Sequence, residues 1–254
     1  MTCALFLALT MTLTTPTKGQ VFDYKDGSDA LQGYISAPTT NGKKPAILII
    51  HQWSGLTDYE KMRADMMADL GYVGFAVDIY GRDTRPTKQS ENGQYAGKYK
   101  GNRALYRQRI QAALDAIKKR EDVDSSKIAV IGYCFGGTGA LEAARMGADV
   151  KGVVSFHGSL DTPTPEDAKS IKGKVMVCNG ADDPSVPPKQ QEDFAKEMRD
   201  ANIDWQLINY GGAVHAFTQP GAGNDNSRGA AYNEKADKRS WEHMVDFFRE
   251  IFSK

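Results

Sequence analysis

The chain has little cysteine, no surplus charge of either sign and, beyond its first residues, no long apolar run. Cys3, Cys134 and Cys178 are the only cysteines in 254 residues, and none lies in a CxxC or a Cys/His ligand spacing. A disulfide framework and a zinc site are therefore not expected, and at most one bridge could form. Lys plus Arg number 32 and so do Asp plus Glu, which gives a formal net charge of zero. With no basic block and no acidic tail, nucleic acid and anionic membrane surfaces are poor partners. No internal repeat or linker divides the chain, so residues 21–254 are read as one domain, long enough to bury a core without staples. No metal or organic cofactor is implied.

Residues 3–13, CALFLALTMTL, are apolar and uncharged. The run has the length of a signal-peptide core and is too short to span a bilayer. Residues 1–20 are read as an export leader or a disordered start. An export leader implies a periplasmic or secreted protein, and the alternative is cytoplasmic. The segment carries no Lys or Arg ahead of the apolar run and no clean A-x-A site after it.

Strands and helices alternate after residue 45, the pattern of βαβ units around a parallel sheet. Two strands around a KDGS turn at residues 25–28 precede it and predict an antiparallel start. AILII at 46–50 suits a strand buried on both faces. Residues 58–70 predict a helix with Tyr59, Met62, Met66 and Leu70 on its buried stripe. Residues 80–97 are read as a long surface loop, 98–119 as one helix and 240–252 as the closing helix.

Residues 132–137 read Gly-Tyr-Cys-Phe-Gly-Gly, with the strand IAVI before them and the small-residue helix TGALEAA after. This is G-x-S-x-G with Cys for Ser, in the strand–turn–helix setting that the motif requires. Such a turn lifts the nucleophile clear of the sheet, and the following helix aims its N-terminal dipole at the sulfur. The motif's chain order is nucleophile, acid, histidine. Outside the last helix only His157 and His215 follow Cys134; His157 comes too early, and His215 sits in the Gly-rich loop GGAVHAF. His51, His157 and His243 are read as structural. The acid is expected after the strand VMVCN, at Asp182 or Asp183. His215 would take the proton from Cys134, and the acid would orient the imidazole. Two backbone N–H groups would receive the oxyanion: that of Phe135, and that of Trp53 in the loop after AILII.

Together these residues resemble the dienelactone hydrolase family, from about residue 24 to 252. GYCFGG is similar to the family's cysteine elbow, GADDPSVP to its acid segment and YGGAVHAF to its histidine loop. The resemblance implies an α/β-hydrolase fold: a mostly parallel central sheet, an antiparallel N-terminal hairpin and helices on both faces. It assigns the acid to Asp183. VDIYGR places at Arg82 an arginine that holds a substrate carboxylate in the family. Two positions depart from the pattern. Gln52 stands where the family has a Glu that governs thiol ionisation, and Gln219 where it has a second carboxylate-binding Arg. Exchanging a bidentate Arg for Gln is not conservative, so a less acidic ester or lactone is expected. Tyr80, Tyr133 and Phe217, with Trp53, Phe135, Gln52 and Gln219, are expected around the substrate.

The reaction expected is hydrolysis of a small-molecule ester or lactone through Cys134, His215 and Asp183 with a thioester intermediate, by a monomer or small homo-oligomer. Two alternatives remain at this point: a non-catalytic binding protein that keeps the fold, and a redox-sensing thiol paired with Cys178.

Overall fold

A computed structural model describes residues 18–253. The apolar leader and Cys3 lie outside the described residues. The elements run β1 (Gln20–Asp26), β2 (Asp29–Ser36), β3 (Lys44–Ile50), α1 (Asp58–Asp69), β4 (Val73–Val77), α2 (Asn92–Lys100), α3 (Arg103–Lys118), β5 (Val123–Tyr133), α4 (Phe135–Arg145), β6 (Gly152–Phe156), β7 (Lys174–Gly180), α5 (Pro188–Asp200), β8 (Trp205–Tyr210) and α6 (Glu234–Phe252), with short 3₁₀ turns between. One eight-stranded sheet has the order β1-β2-β4-β3-β5-β6-β7-β8. The β1–β2 hairpin is antiparallel and β2 joins β4 antiparallel, whereas every pairing from β4 to β8 is parallel. This is the α/β-hydrolase architecture.

Each inner strand divides its side chains between two cores, because successive residues point to opposite faces. Leu48, Ile50, Phe75, Val77, Val130 and Val153 pack with α3, α4 and α5. Ile47, Ile49, Ala129, Ile131, Tyr133, Phe156 and Cys178 pack with α1 and α6. Burying a Leu, Ile or Phe side chain contributes about 1.5–3 kcal/mol, so strands this apolar commit the sheet to cover on both sides. Among the described residues no helix is long and apolar enough to cross a membrane.

Three expected elements differ. Residues 92–100 form helix α2 rather than loop, and the single helix expected over 98–119 is broken at Gly101–Asn102, where the Asn102 side chain caps α3 by accepting the Leu105 N–H at 3.1 Å. An Asn at this point ends one helix and starts another because its side chain satisfies an otherwise orphan donor. The closing helix begins at Glu234, six residues early, capped by Asn233, whose Oδ1 accepts the Ala236 N–H at 3.1 Å.

Helix α1 is rotated from the predicted stripe: Tyr59 and Met66 stay half-buried, with Tyr59 against the core, but the other two positions do not. Met62 and Leu70 are exposed, and Glu60, Arg63, Ala64, Asp65 and Met67 are buried. Each buried charge has a partner from outside the helix's own stripe. Arg63 meets Asp237 of α6 at 2.8 Å, Asp65 accepts the Tyr34 hydroxyl at 2.9 Å, and Glu60 accepts the Thr57 N–H at 2.8 Å. Buried charges persist where they are paired and hydrogen-bonded.

A second buried ion cluster ties α4 to α5. Arg145, 1% exposed, donates to both carboxylate oxygens of Glu197 at 2.8 Å and to Glu142 at 3.2 Å. Removing one partner strands the other charges in the interior. Arg145→Ala is expected to lower unfolding free energy by about 3–5 kcal/mol, measured as a shift of the urea midpoint.

Candidate active site

β5 ends beneath the centre of the sheet's C-terminal edge, and the chain turns sharply there into α4. Cys134 occupies the turn with φ 56° and ψ −115°. A non-glycine residue there costs on the order of 1–3 kcal/mol, so its neighbours must hold it. Gly132 and Gly136 allow the approach: a Cβ on Gly132 would collide with the Gly136 carbonyl, and one on Gly136 with the carbonyl of Ile50 in β3. The elbow can form only where helix and strands pass backbone to backbone.

The sulfur is met by the histidine loop. His215 Nε2 lies 3.0 Å from Cys134 Sγ, and His215 Nδ1 donates to Asp183 Oδ2 at 2.9 Å. Asp183 is buried, and its other oxygen accepts the Ser185 N–H at 2.8 Å. Asp182 instead accepts the Gly212 N–H at 3.1 Å and secures the turn. Burial opposes charge on His215, but its hydrogen bonds to Asp183 and Cys134 and their negative charges outweigh it and raise the imidazole pKa to about 10. Burial likewise opposes the Cys134 thiolate, yet the hydrogen bond and charge of His215 and the Phe135 N–H leave its pKa lowered. Both shifts favour the charged form of the pair, thiolate beside imidazolium.

A cavity of about 540 Å³ opens above the sulfur, lined by Cys134, His215, Gln52, Trp53, Gln219 and Arg228 among others. Phe135 presents only its backbone to the site; its ring is buried, stacked on Tyr106 at 4.5 Å. Trp53, 44% exposed, lies on the cavity wall. Tyr80 is buried and acts as a buttress: its hydroxyl donates to the Trp53 carbonyl at 3.0 Å and its ring packs on His51 and Phe135. Gln52 is buried, with its side-chain amide 3.3 Å from Glu60.

Tyr80 was expected around the substrate but does not line the cavity, and three further residues expected there, Arg82, Tyr133 and Phe217, also lie elsewhere. Arg82 does not line the cavity; its exposed guanidinium pairs with Asp83 at 3.2 Å. Tyr133 is fully buried on the α1/α6 face, because strand alternation sends the residue before the nucleophile there. Phe217 is fully buried between Tyr210 and His157, beyond the left-handed backbone of Ala216. Arg228 was not foreseen: it stands in a polar turn far from any motif. Its placement follows from backbone pairing, since the His215 N–H donates to the adjacent Gly229 carbonyl at 3.2 Å. Of the other histidines, His51 donates Nδ1–H to the Gln52 carbonyl at 2.6 Å and accepts the Ile79 N–H, and burial pulls its pKa down to about 4. His243 lies 2.8 Å from the Tyr210 hydroxyl.

The model of the dienelactone hydrolase family matches residues 31–252, which hold the elbow, the acid segment and the histidine loop. The chain belongs to the dienelactone hydrolase family. It is 28% identical over 242 residues to a putative carboxymethylenebutenolidase of Aquifex aeolicus, covering 91% of this chain and 98% of that one. It is 25% identical over 237 residues to a probable 2-oxo-3-(5-oxofuran-2-ylidene)propanoate lactonase of Bradyrhizobium, covering 89% and 92%. The crystal structure of the dienelactone hydrolase-like promiscuous phosphotriesterase P91, from metagenomic libraries, superposes with a TM-score of 0.86 at 38% identity, covering 92% and 98%. This dienelactone hydrolase family member is a hydrolase of ester or lactone bonds.

The ion pair sets a pH window. Thiolate is present above the lowered Cys134 pKa, and imidazolium is lost as pH rises through about 10. The midpoint of Cys134 alkylation by iodoacetamide should therefore lie below the ordinary thiol value of 9.0. In His215→Ala the alkylation midpoint should move up towards that ordinary value, read from peptide mass spectra against pH.

Proposed function

We propose that this hydrolase cleaves its ester or lactone through a Cys134–His215–Asp183 triad and a thioester acyl-enzyme. The observation that carries the reading is the unbroken run from sulfur to imidazole to carboxylate, at 3.0 and 2.9 Å, beside an open cavity. The thiolate attacks the acyl carbon, and the oxyanion is received by the N–H groups of Phe135 and Trp53. The His215 imidazolium protonates the leaving alkoxide or enolate. Neutral again, it takes a proton from water, which attacks the thioester and releases the acid. Asp183 keeps Nδ1 protonated throughout, so that Nε2 always faces the sulfur.

Neither alternative draws equal support. A redox pairing needs Cys178 near Cys134, but Cys178 belongs to the opposite core and burial raises its thiol pKa to about 12. A purely binding role leaves the ionised sulfur without a use. The similarity to P91, a promiscuous phosphotriesterase, makes phosphotriesters a second class of electrophile to offer this enzyme.

Substrate charge is read at the rim. With Arg82 turned to Asp83 and Gln219 in the wall, Arg228 is the one Lys or Arg among the lining residues. The preferred substrate is a neutral or weakly acidic ester or lactone, with Arg228 adding a modest preference for an anionic tail.

In steady-state turnover of small aryl esters and enol-lactones, Cys134→Ala and His215→Ala are each expected to lose about three orders of magnitude or more in kcat. Undiminished turnover in Cys134→Ala excludes the mechanism. For a matched pair of esters with and without a terminal carboxylate, Arg228→Gln should reduce kcat/KM for the anionic member by about threefold to tenfold, as expected of an exposed charge contact. Arg82→Gln should leave the ratio unchanged.

A further inference from the structure

His157 stands directly behind the nucleophile and takes no part in the triad. It follows β6, fully buried, with a left-handed backbone at φ 40°. Its Nδ1 accepts the Cys134 backbone N–H at 3.1 Å, and the same N–H also reaches the Phe156 carbonyl at 3.0 Å. A ring nitrogen that accepts carries no proton, so the hydrogen of this neutral imidazole is on Nε2. Nε2 lies 2.9 Å from Thr218 Oγ1 and donates to it. Thr218 is itself fixed: its hydroxyl oxygen accepts from Tyr59 at 2.8 Å and its carbonyl accepts from Arg63 at 3.2 Å. The His157 ring also packs edge to face on His215, with centroids 5.2 Å apart.

We propose, resting on the thiol-hydrolase reading above, that His157 is a positioning residue, a tautomer-locked acceptor that holds the Cys134 amide so that the Phe135 N–H faces the oxyanion. The positive-φ turn at Cys134 is unfavourable for a residue with a Cβ and does not hold this geometry unaided. Two acceptors from different directions fix the plane of the 133–134 peptide, where one carbonyl alone leaves it free to rock. Rotation at Cys134 then decides where the next N–H points, and that N–H is the oxyanion donor. The Cys134 N–H, an obligate donor, claims the lone pair at Nδ1, and the proton thereby left on Nε2 is received by Thr218 Oγ1. Burial, followed by the charge of His215, holds the His157 pKa well below its usual range, in keeping with an acceptor that never protonates.

The account separates two properties of the sulfur. Ionisation of Cys134 depends on His215, whereas oxyanion stabilisation depends on the turn. The test measures kcat, KM and Cys134 alkylation rate in the full chain for wild type, His157→Leu, His157→Asn and Thr218→Val, on one aryl ester. Asn places an acceptor oxygen near the position of Nδ1 and tolerates the left-handed backbone; Leu does neither. Thr218→Val leaves the backbone at 157 untouched and removes the hydroxyl that receives the Nε2–H, while Tyr59, which also donates to that hydroxyl, keeps the Thr218 carbonyl as an acceptor. His157→Leu and Thr218→Val should lower kcat about tenfold to a hundredfold, with KM and alkylation rate within about twofold of wild type. His157→Asn should recover most of the loss. The proposal is overturned if kcat and alkylation fall together in both Thr218→Val and His157→Leu, if Asn fares no better than Leu, or if kcat is unchanged throughout. Turnover that survives in Cys134→Ala would instead sink the triad reading on which the proposal stands.

Discussion

The site rests on the contact between the start of α4 and the ends of β3 and β5. The Gly136 backbone lies against the Ile50 carbonyl, and Gly132 lies against Gly136. Any side chain there would push the helix away from the sheet and lower the sulfur into the core. Because the two strands are parallel neighbours in the sheet's centre, both the elbow and the Gln52–Trp53 loop emerge at the same edge. The loops after β7 and β8 bring Asp183 and His215 to that edge as well. A parallel sheet thus converts chain order into a shared location, and the glycines set how closely the parts meet.

Electrostatics complete what the backbone begins. The resemblance to the family implies a Glu that governs the thiol in the loop after β3, and Gln52 stands at the matching place in this sequence. A carboxylate remains nearby, since Glu60 of α1 is buried behind Gln52, accepting from its amide and from Thr57. It acts on the loop and the helix cap, and its burial raises its own pKa. Ionisation of Cys134 falls to His215, whose charge is held in turn by Asp183. The His215 charge thus favours the thiolate with no acid at the Gln52 position itself.

Much of this was legible in the sequence, and the reasons divide cleanly. The elbow, the acid segment and the histidine loop are short, and their chemistry is local: Gly where backbones touch, Cys where the turn presents a side chain. AILII and IAVI could only be inner strands. The misread parts depend on partners remote in sequence. Nothing within residues 58–70 reveals that Arg63 will meet Asp237 while Met62 faces solvent. Arg82 has an acid next to it in the chain, and the pairing with Asp83 wins over the cavity. Tyr133 follows strand alternation, which the motif's proximity to the nucleophile obscured. Arg228 reaches the pocket only through a bridge between His215 and Ala230 that no local pattern encodes.

The most direct measurement of the central claim is intact and peptide mass after rapid quenching with an activated ester whose acyl group leaves the enzyme slowly. The account predicts a mass increment equal to that acyl group, located on the Cys134 peptide and discharged by hydroxylamine. Continued hydrolysis of the ester with Cys134 never acylated, or with the acyl group on another side chain, would contradict it.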